Sequence, residues 1–70
     1  MSYDKEVIKQ ILKEKNYGDE PVDYDKVLET VEYDNGKYIF MIGDVGFVFV
    51  GNILIDVLPG YKRVSGVIQQ

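Results

Sequence analysis

Seven carboxylates crowd into residues 19–34, and they are the side chains of this chain most able to do chemistry. Only Lys26 opposes them there, so this segment carries a net charge of −6. Carboxylates at such density can bind a cation, share a proton as acid and base, or attract a basic surface. The seven are Asp19, Glu20, Asp23, Asp25, Glu29, Glu32 and Asp34.

The spacing of the acidic residues argues against a calcium site. The stretch from Asp23 to Asp34 has the length of a calcium loop, but its fifth position is Val27, where an oxygen ligand is needed. Its sixth position is Leu28, where the sharp turn needs glycine. The chain also has no cysteine and no histidine, which removes the usual zinc ligands. We therefore expect no metal and no cofactor.

Catalysis has little support in the sequence. Paired acids act as acid and base when one lies in an apolar pocket with a raised pKa, and a chain of 70 residues has little room for a substrate cleft. Asp56, between Ile55 and Val57, is the one carboxylate whose position could suit partial burial, but we expect it instead to face solvent or to pair with Arg63. Ser2 and Ser65 have no histidine to activate them. We expect a protein that is not an enzyme and has no catalytic residues.

The acidic segment must be positioned by the elements around it, and the first of these is a helix from Ser2 to Lys15. Apolar residues recur there at helical spacing, with Ser2 or Asp4 as the cap and lysines near the negative end of the dipole. Gly18 is a stop signal. The apolar face consists of Val7, Ile8, Ile11 and Leu12, with Tyr3 one turn earlier.

Residues Lys26 to Asp34 fit two structures. Tyr24, Leu28 and Val31 align at helical spacing, but Asn35-Gly36 is a strong hairpin signal that needs a strand before it. We favour the strand. A two-residue turn would then pair Tyr33 with Tyr38 and Val31 with Phe40.

The second half of the chain reads as an antiparallel meander. β-Branched and aromatic residues are concentrated in Tyr38 to Ile42, Phe47 to Val50 and Ile53 to Leu58, with turns at Gly43-Asp44-Val45-Gly46 and Gly51-Asn52. Pro59-Gly60 ends the meander, and Tyr61 to Ile68 is expected to add a short edge strand. The predicted fold is a single α+β domain over residues 1–70, with an N-terminal helix packed on an antiparallel meander of three to five strands.

These strands are apolar on both faces, which predicts self-association. One helix covers one face of a sheet, and a second apolar face left open marks an association surface. We expect a homodimer formed through the sheet, unless the C-terminal tail folds over that face or the sheet curls on itself. A membrane span over Ile39 to Leu58 is disfavoured because Asp44, Asn52 and Asp56 interrupt it. The first fifteen residues are amphipathic rather than signal-like, so we expect a cytoplasmic protein.

The net charge of −4 argues against direct nucleic-acid binding, because a binder must neutralise phosphates. It also argues against the six tyrosines acting as a platform for bases. Tyr17, Tyr24 and Tyr33 lie among the acids and could instead anchor a protein interface. Fixed carboxylates at high density could offer a phosphate-like array to a DNA-binding groove and compete with DNA.

In its size, its lack of cysteine and histidine, and the acidic stretch Asp19 to Asp34, the chain resembles the phage-encoded DNA-mimic inhibitors, including those that act on the bacterial nucleoid protein HU. The resemblance implies a non-enzymatic inhibitor in the bacterial host cytoplasm that binds a basic DNA-binding protein through its seven acids. The basic helix residues Lys5, Lys9, Lys13 and Lys15 depart from that pattern. The alternative is a small regulatory or adaptor module that binds a host protein through its apolar sheet face, with Phe47 and Phe49 as the sensitive residues.

Overall fold

The computed structural model describes residues 3–16 and 21–62. Two helices precede a four-stranded antiparallel sheet whose strands lie in sequence order, and this confirms the predicted α+β fold. The elements are α1 (Lys5–Lys15), α2 (Tyr24–Glu29), β1 (Glu32–Asp34), β2 (Lys37–Ile42), β3 (Val45–Val50) and β4 (Ile53–Pro59).

Helix α1 forms where the apolar periodicity predicts it. The Asp4 side chain caps its start by accepting a hydrogen bond from the Glu6 backbone N–H at 3.0 Å. Ile8 and Leu12 are fully buried, one turn apart on the face that meets the sheet. Val7 lies at the margin of that face and is 39% exposed.

The prediction of a strand over Lys26 to Asp34 is wrong for the first half of that range. The Asp23 side chain accepts a hydrogen bond from the Lys26 backbone N–H at 3.2 Å and starts α2, which runs to Glu29. Val27 and Leu28 are both buried. Adjacent residues on a helix can both face the core, whereas in a strand they would point to opposite faces of the sheet. Only Glu32 to Asp34 forms the strand that the following hairpin needs.

The predicted tight hairpins form with two-residue turns. Asn35 and Gly36 have φ values of 53° and 84°, the positive pair that a type I′ turn requires, and Tyr33 lies opposite Tyr38 as expected. The β1–β2 ladder ends at Glu32 opposite Ile39, so the predicted pairing of Val31 with Phe40 is not reached. Gly51 and Asn52 join β3 to β4, with Val50 opposite Ile53.

Strand β4 is irregular and lies at one edge of the sheet. Its register with β3 shifts between Val48 and Phe49, because Phe49 pairs with Leu54 while Val48 pairs with Asp56. Ile55 is therefore the extra residue of a β-bulge. After β4, the backbone N–H groups of Gly60 and Tyr61 donate to the Asp44 carbonyl at 2.8 and 3.1 Å. Tyr61 and Lys62 are not in a strand, and the rest of the predicted edge strand lies outside the described residues.

The core lies between the helices and one face of the sheet, which we call the helix face. Phe40 and Phe49 are fully buried there, and their rings meet edge to face with centroids 5.4 Å apart. Phe47 is 5% exposed. The expectation that Phe47 and Phe49 would form a docking surface is therefore wrong, because the two helices already cover the side that these rings occupy.

The long apolar stretch from Ile39 to Leu58 is divided among strands β2, β3 and β4. Within the described ranges, neither helix has the length and apolar character needed to cross a membrane.

Candidate functional site: the second face of the sheet

Two of the three acids at α2 stabilise the fold itself. Asp23 is the N-cap of the helix, and Asp25 forms an ion pair with Lys9 of α1, with 2.9 Å between Nζ and Oδ1. Glu29 is exposed at the end of the helix. Of the three, Glu29 has neither role, so it is the most available to an external partner.

The Lys9–Asp25 pair shifts the pKa of both groups. The hydrogen bond and the charge of Lys9 lower the pKa of Asp25 below its ordinary value of 3.8. The same contact, together with the charge of Asp25, raises the pKa of Lys9 above its ordinary value of 10.5. Both shifts favour the charged forms, as expected for opposite charges in contact. The pair joins α1 to α2 at the surface.

The acids of β1 point away from the helices. Tyr33 contacts Tyr38 at 5.0 Å, and Tyr38 contacts Tyr3 at 4.7 Å, so Tyr33 lies on the helix face. Since side chains alternate along a strand, Glu32 and Asp34 lie on the opposite face, which we call the second face.

Glu32 does not fit the prediction that all seven acids contact a partner. Its side chain is 5% exposed, and its Oε1 accepts a hydrogen bond from the Tyr61 hydroxyl at 3.3 Å. A surface partner therefore cannot reach it in this conformation. Asp19 and Glu20 lie outside the described residues. The remaining acids, Asp23, Asp25, Glu29 and Asp34, are exposed but divided between the two sides of the sheet.

Tyr61 covers part of the second face. A Cβ added at Gly46 would lie 3.1 Å from the Cβ and Cγ of Tyr61 and 3.2 Å from Cγ2 of Ile39. Glycine at position 46 thus lets the tyrosine ring lie against the backbone of β3. The alternative to the homodimer, a tail folded over this face, is therefore seen for this one described residue, Tyr61.

Apolar side chains remain exposed beside that cover. Val50, Ile53 and Ile55 are 45%, 67% and 48% exposed, and we call them the apolar strip. Val50 and Ile53 are directly opposite each other across the β3–β4 hairpin. Their register places both on the second face, because Val50 is two residues from Val48 on the same strand. These side chains form a patch of exposed aliphatic surface on the second face.

The strip continues into a groove of about 330 Å³ on the second face. Ile39 and Val48, opposite each other on β2 and β3, form its floor and are each 4% exposed. Ile55 stands beside them because the bulge turns this extra residue toward the groove. The sequence pattern gave no sign of the bulge, so the role of Ile55 was missed.

Polar groups border the apolar floor of the groove. Asp34, Lys37 and Tyr61 line one part of it and Asp56 another. Asp34 lies opposite Lys37 in the β1–β2 ladder, whereas the cross-strand neighbour of Asp56 is Val48. The carboxylate of Asp56 is exposed and accepts a hydrogen bond from the Val57 backbone N–H at 2.8 Å. Asp56 thus faces solvent, as one of the two expectations for it had it, and Arg63 lies outside the described residues. The buried acid is Glu32.

The three tyrosines proposed as anchors differ in exposure. Tyr33 is 63% exposed on the helix face, whereas Tyr24 is half-buried and its hydroxyl accepts a hydrogen bond from Asn16 Nδ2 at 3.1 Å. Tyr17 lies outside the described residues. Within the described ranges, no three acidic side chains come together as a metal-binding group.

Fold and site together define an α+β domain with two helices on one face of a four-stranded meander and an apolar, acid-bordered groove on the other. No family model, curated protein or solved structure matches the chain.

Proposed function

We propose that this protein is a non-enzymatic binding module that docks another protein on the second face of its sheet. The observation that carries the proposal is the exposure of Ile55, at 48%, beside a groove whose floor is apolar. Because Ile55 is already about half buried, covering the rest of it contributes roughly half of the ~1.5 to 3 kcal/mol of full burial, and the apolar groove beside it adds contact area for the same partner. This develops the adaptor reading of the sequence, with the docking residues moved from Phe47 and Phe49 to β4.

A matched pair of variants tests the docking face. Ile55 and Val57 lie on the same strand and are similarly exposed, at 48% and 42%, but Val57 pairs with Phe47 on the helix face. We expect Ile55→Asp to abolish capture of the partner from bacterial lysate at both low and high salt, while Val57→Asp keeps it. Circular dichroism and urea unfolding confirm that each variant folds. Equal loss in both variants, or loss in neither, would contradict docking through this face.

A second candidate is the DNA-mimic inhibitor, which would bind a basic DNA-binding host protein and displace it from DNA. It is favoured by the exposure of Asp23, Asp25, Glu29 and Asp34. Its weakness is that these acids lie on two sides of the sheet and that Asp25 already pairs with Lys9. A continuous phosphate-like ladder on one surface would therefore need Asp19 and Glu20 as well.

Salt dependence and charge reversal separate the two candidates. Mimicry predicts capture that weakens steeply with salt, is reversed by added DNA, and is lost in a Glu29→Lys, Asp34→Lys double variant. Asp34 replaces Glu32 in this test because reversing a buried carboxylate would disturb the fold. Docking on the second face predicts capture that resists salt, is not reversed by DNA and survives the Glu29→Lys single variant. Because Asp34 borders the groove, loss of capture in the double variant alone does not separate the two candidates.

A further inference from the structure

We propose that the groove on the second face receives a long basic side chain, arginine or its equivalent, from the protein partner. This inference rests on the proposed docking face and names the chemistry that the face recognises. An arginine combines an aliphatic stem with a planar cation. The groove offers an apolar floor, with Asp56 on one border and Asp34 beside Lys37 on the other.

The volume and lining of the groove set the size of its occupant. At about 330 Å³ it lies at the small end of the ~300–1,000 Å³ range of ligand pockets. The floor consists of the aliphatic side chains of Ile39 and Val48, which offer no hydrogen-bonding group. The part of the occupant that lies on this floor must therefore be apolar. A single extended side chain fits this description better than a folded element of a partner.

Charge identifies the end of that side chain. Asp56 lies beside the floor, opposite Val48, and no ion pair joins it to any described residue. Asp34, on the other border, already has Lys37 opposite it. A cation entering the groove therefore gains most by pairing with Asp56, where a planar guanidinium can make two hydrogen bonds to one carboxylate. A neutral or anionic occupant would leave this carboxylate unpaired beside the bound apolar stem.

The probe is n-butylguanidinium, with n-butylurea as a neutral molecule of nearly the same shape. Titration of the ¹⁵N-labelled protein is followed by amide chemical shifts. We expect n-butylguanidinium to shift the amides of Ile39, Val48, Ile55 and Asp56 with a Kd of about 1 to 10 mM, typical of so small a ligand. We expect n-butylurea to bind at least about fivefold more weakly because it cannot form the charge-assisted bond.

Two carboxylate variants complete the test. Asp56→Asn keeps the oxygen that accepts from the Val57 N–H, yet it should lower the affinity for n-butylguanidinium to that for n-butylurea. Asp44→Asn lies in the β2–β3 turn outside the groove and should leave both affinities unchanged. Equal binding of the two probes, shifts confined to α2, no shifts at all, or an unaffected Asp56→Asn variant would overturn the inference.

Failure of this inference can be told apart from failure of the docking face. Suppose that Ile55→Asp abolishes partner capture, that Asp56→Asn leaves capture unchanged, and that n-butylguanidinium shifts no amide of the groove. The second face then docks a partner but does not bind a basic side chain of it. If Ile55→Asp leaves capture intact, the docking proposal itself is wrong.

Discussion

The Oδ1 atom of Asn52 accepts a hydrogen bond from the backbone N–H of Asp4 at 2.7 Å. Asn52 lies in the β3–β4 turn and Asp4 caps the start of α1, so this contact ties the first helix to the far hairpin across a separation of 48 residues. The asparagine thus helps to form a two-residue turn and also fixes where the helix begins on the sheet.

Loss of that acceptor should loosen the start of α1. We expect Asn52→Ala to lower the free energy of unfolding by about 0.5 to 1.5 kcal/mol, the usual contribution of one hydrogen bond, and to speed hydrogen exchange at the Asp4 amide. Asn52→Asp keeps an acceptor oxygen and should retain more of the stability. Urea denaturation and amide exchange measure both effects. Identical exchange at Asp4 in the wild type and Asn52→Ala would show that the contact does not hold the helix start.

Packing of Tyr61 against Gly46 should show as energetic coupling. A methyl group at position 46 would lie 3.1 Å from the Tyr61 Cβ and Cγ and 3.2 Å from Cγ2 of Ile39, so these packed side chains would have to shift by a few tenths of an ångström. We therefore expect Gly46→Ala to cost about 1 to 3 kcal/mol. Tyr61→Ala should be destabilising as well, because it removes the ring and the hydroxyl that donates to Glu32. The loss of unfolding free energy in the double variant should differ from the sum of the two single losses by about 0.5 kcal/mol or more. Strict additivity in urea denaturation would show that the two residues do not pack together.

The Lys9–Asp25 pair should make stability depend on pH at the acid end. Because folding lowers the pKa of Asp25, the carboxylate stabilises the fold above its ordinary pKa of 3.8 and loses this contribution as the pH falls through the lowered value. Asp25→Asn should therefore be less stable than the wild type between about pH 5 and 8 and equal to it in strong acid. For Lys9 the contribution is lost as the pH rises through its raised pKa.

Thermal melts over a pH series measure this difference, with Glu29→Gln as the control because Glu29 lies on the same helix and is likewise exposed. Added salt should shrink the effect, since the pair lies at the surface. A gap between wild type and Asp25→Asn that stays constant down to strong acid would show that the stability change has another cause.

The homodimer stays a prediction, and the apolar strip gives it a location. Contact through Val50 and Ile53 at the end of the β3–β4 hairpin would bury the most exposed aliphatic side chain of the described residues, Ile53. Sedimentation velocity should then give twice the 8.0 kDa mass of one chain, and Ile53→Asp should sediment as a monomer. Val57→Asp, on the helix face of the same strand, should remain a dimer. A wild type that sediments as a monomer at all concentrations would contradict the prediction.

Local sequence signals were sufficient for the first helix and for two of the three hairpins; in the middle one, Val45 and Gly46 of the predicted turn belong to β3. Asp4 and the spacing of Ile8 and Leu12 specify α1, and Asn35-Gly36 and Gly51-Asn52 specify two-residue turns, because caps and tight turns depend on residues close together in the chain. The α+β class follows from these elements in order.

Tertiary structure decided the rest. Local signals in residues 24–34 conflicted, since Asp23 and the helical spacing favour a helix and Asn35-Gly36 favours a strand before it. Residues 24–29 became a helix because the core accepts both Val27 and Leu28. The side on which each acid lies depends on strand register, where a shift of one residue exchanges the two faces. The same geometry buries Glu32 beneath Tyr61, and the bulge turns Ile55 toward the groove. Composition alone could count the carboxylates, but only the packed sheet determined which of them a partner can reach.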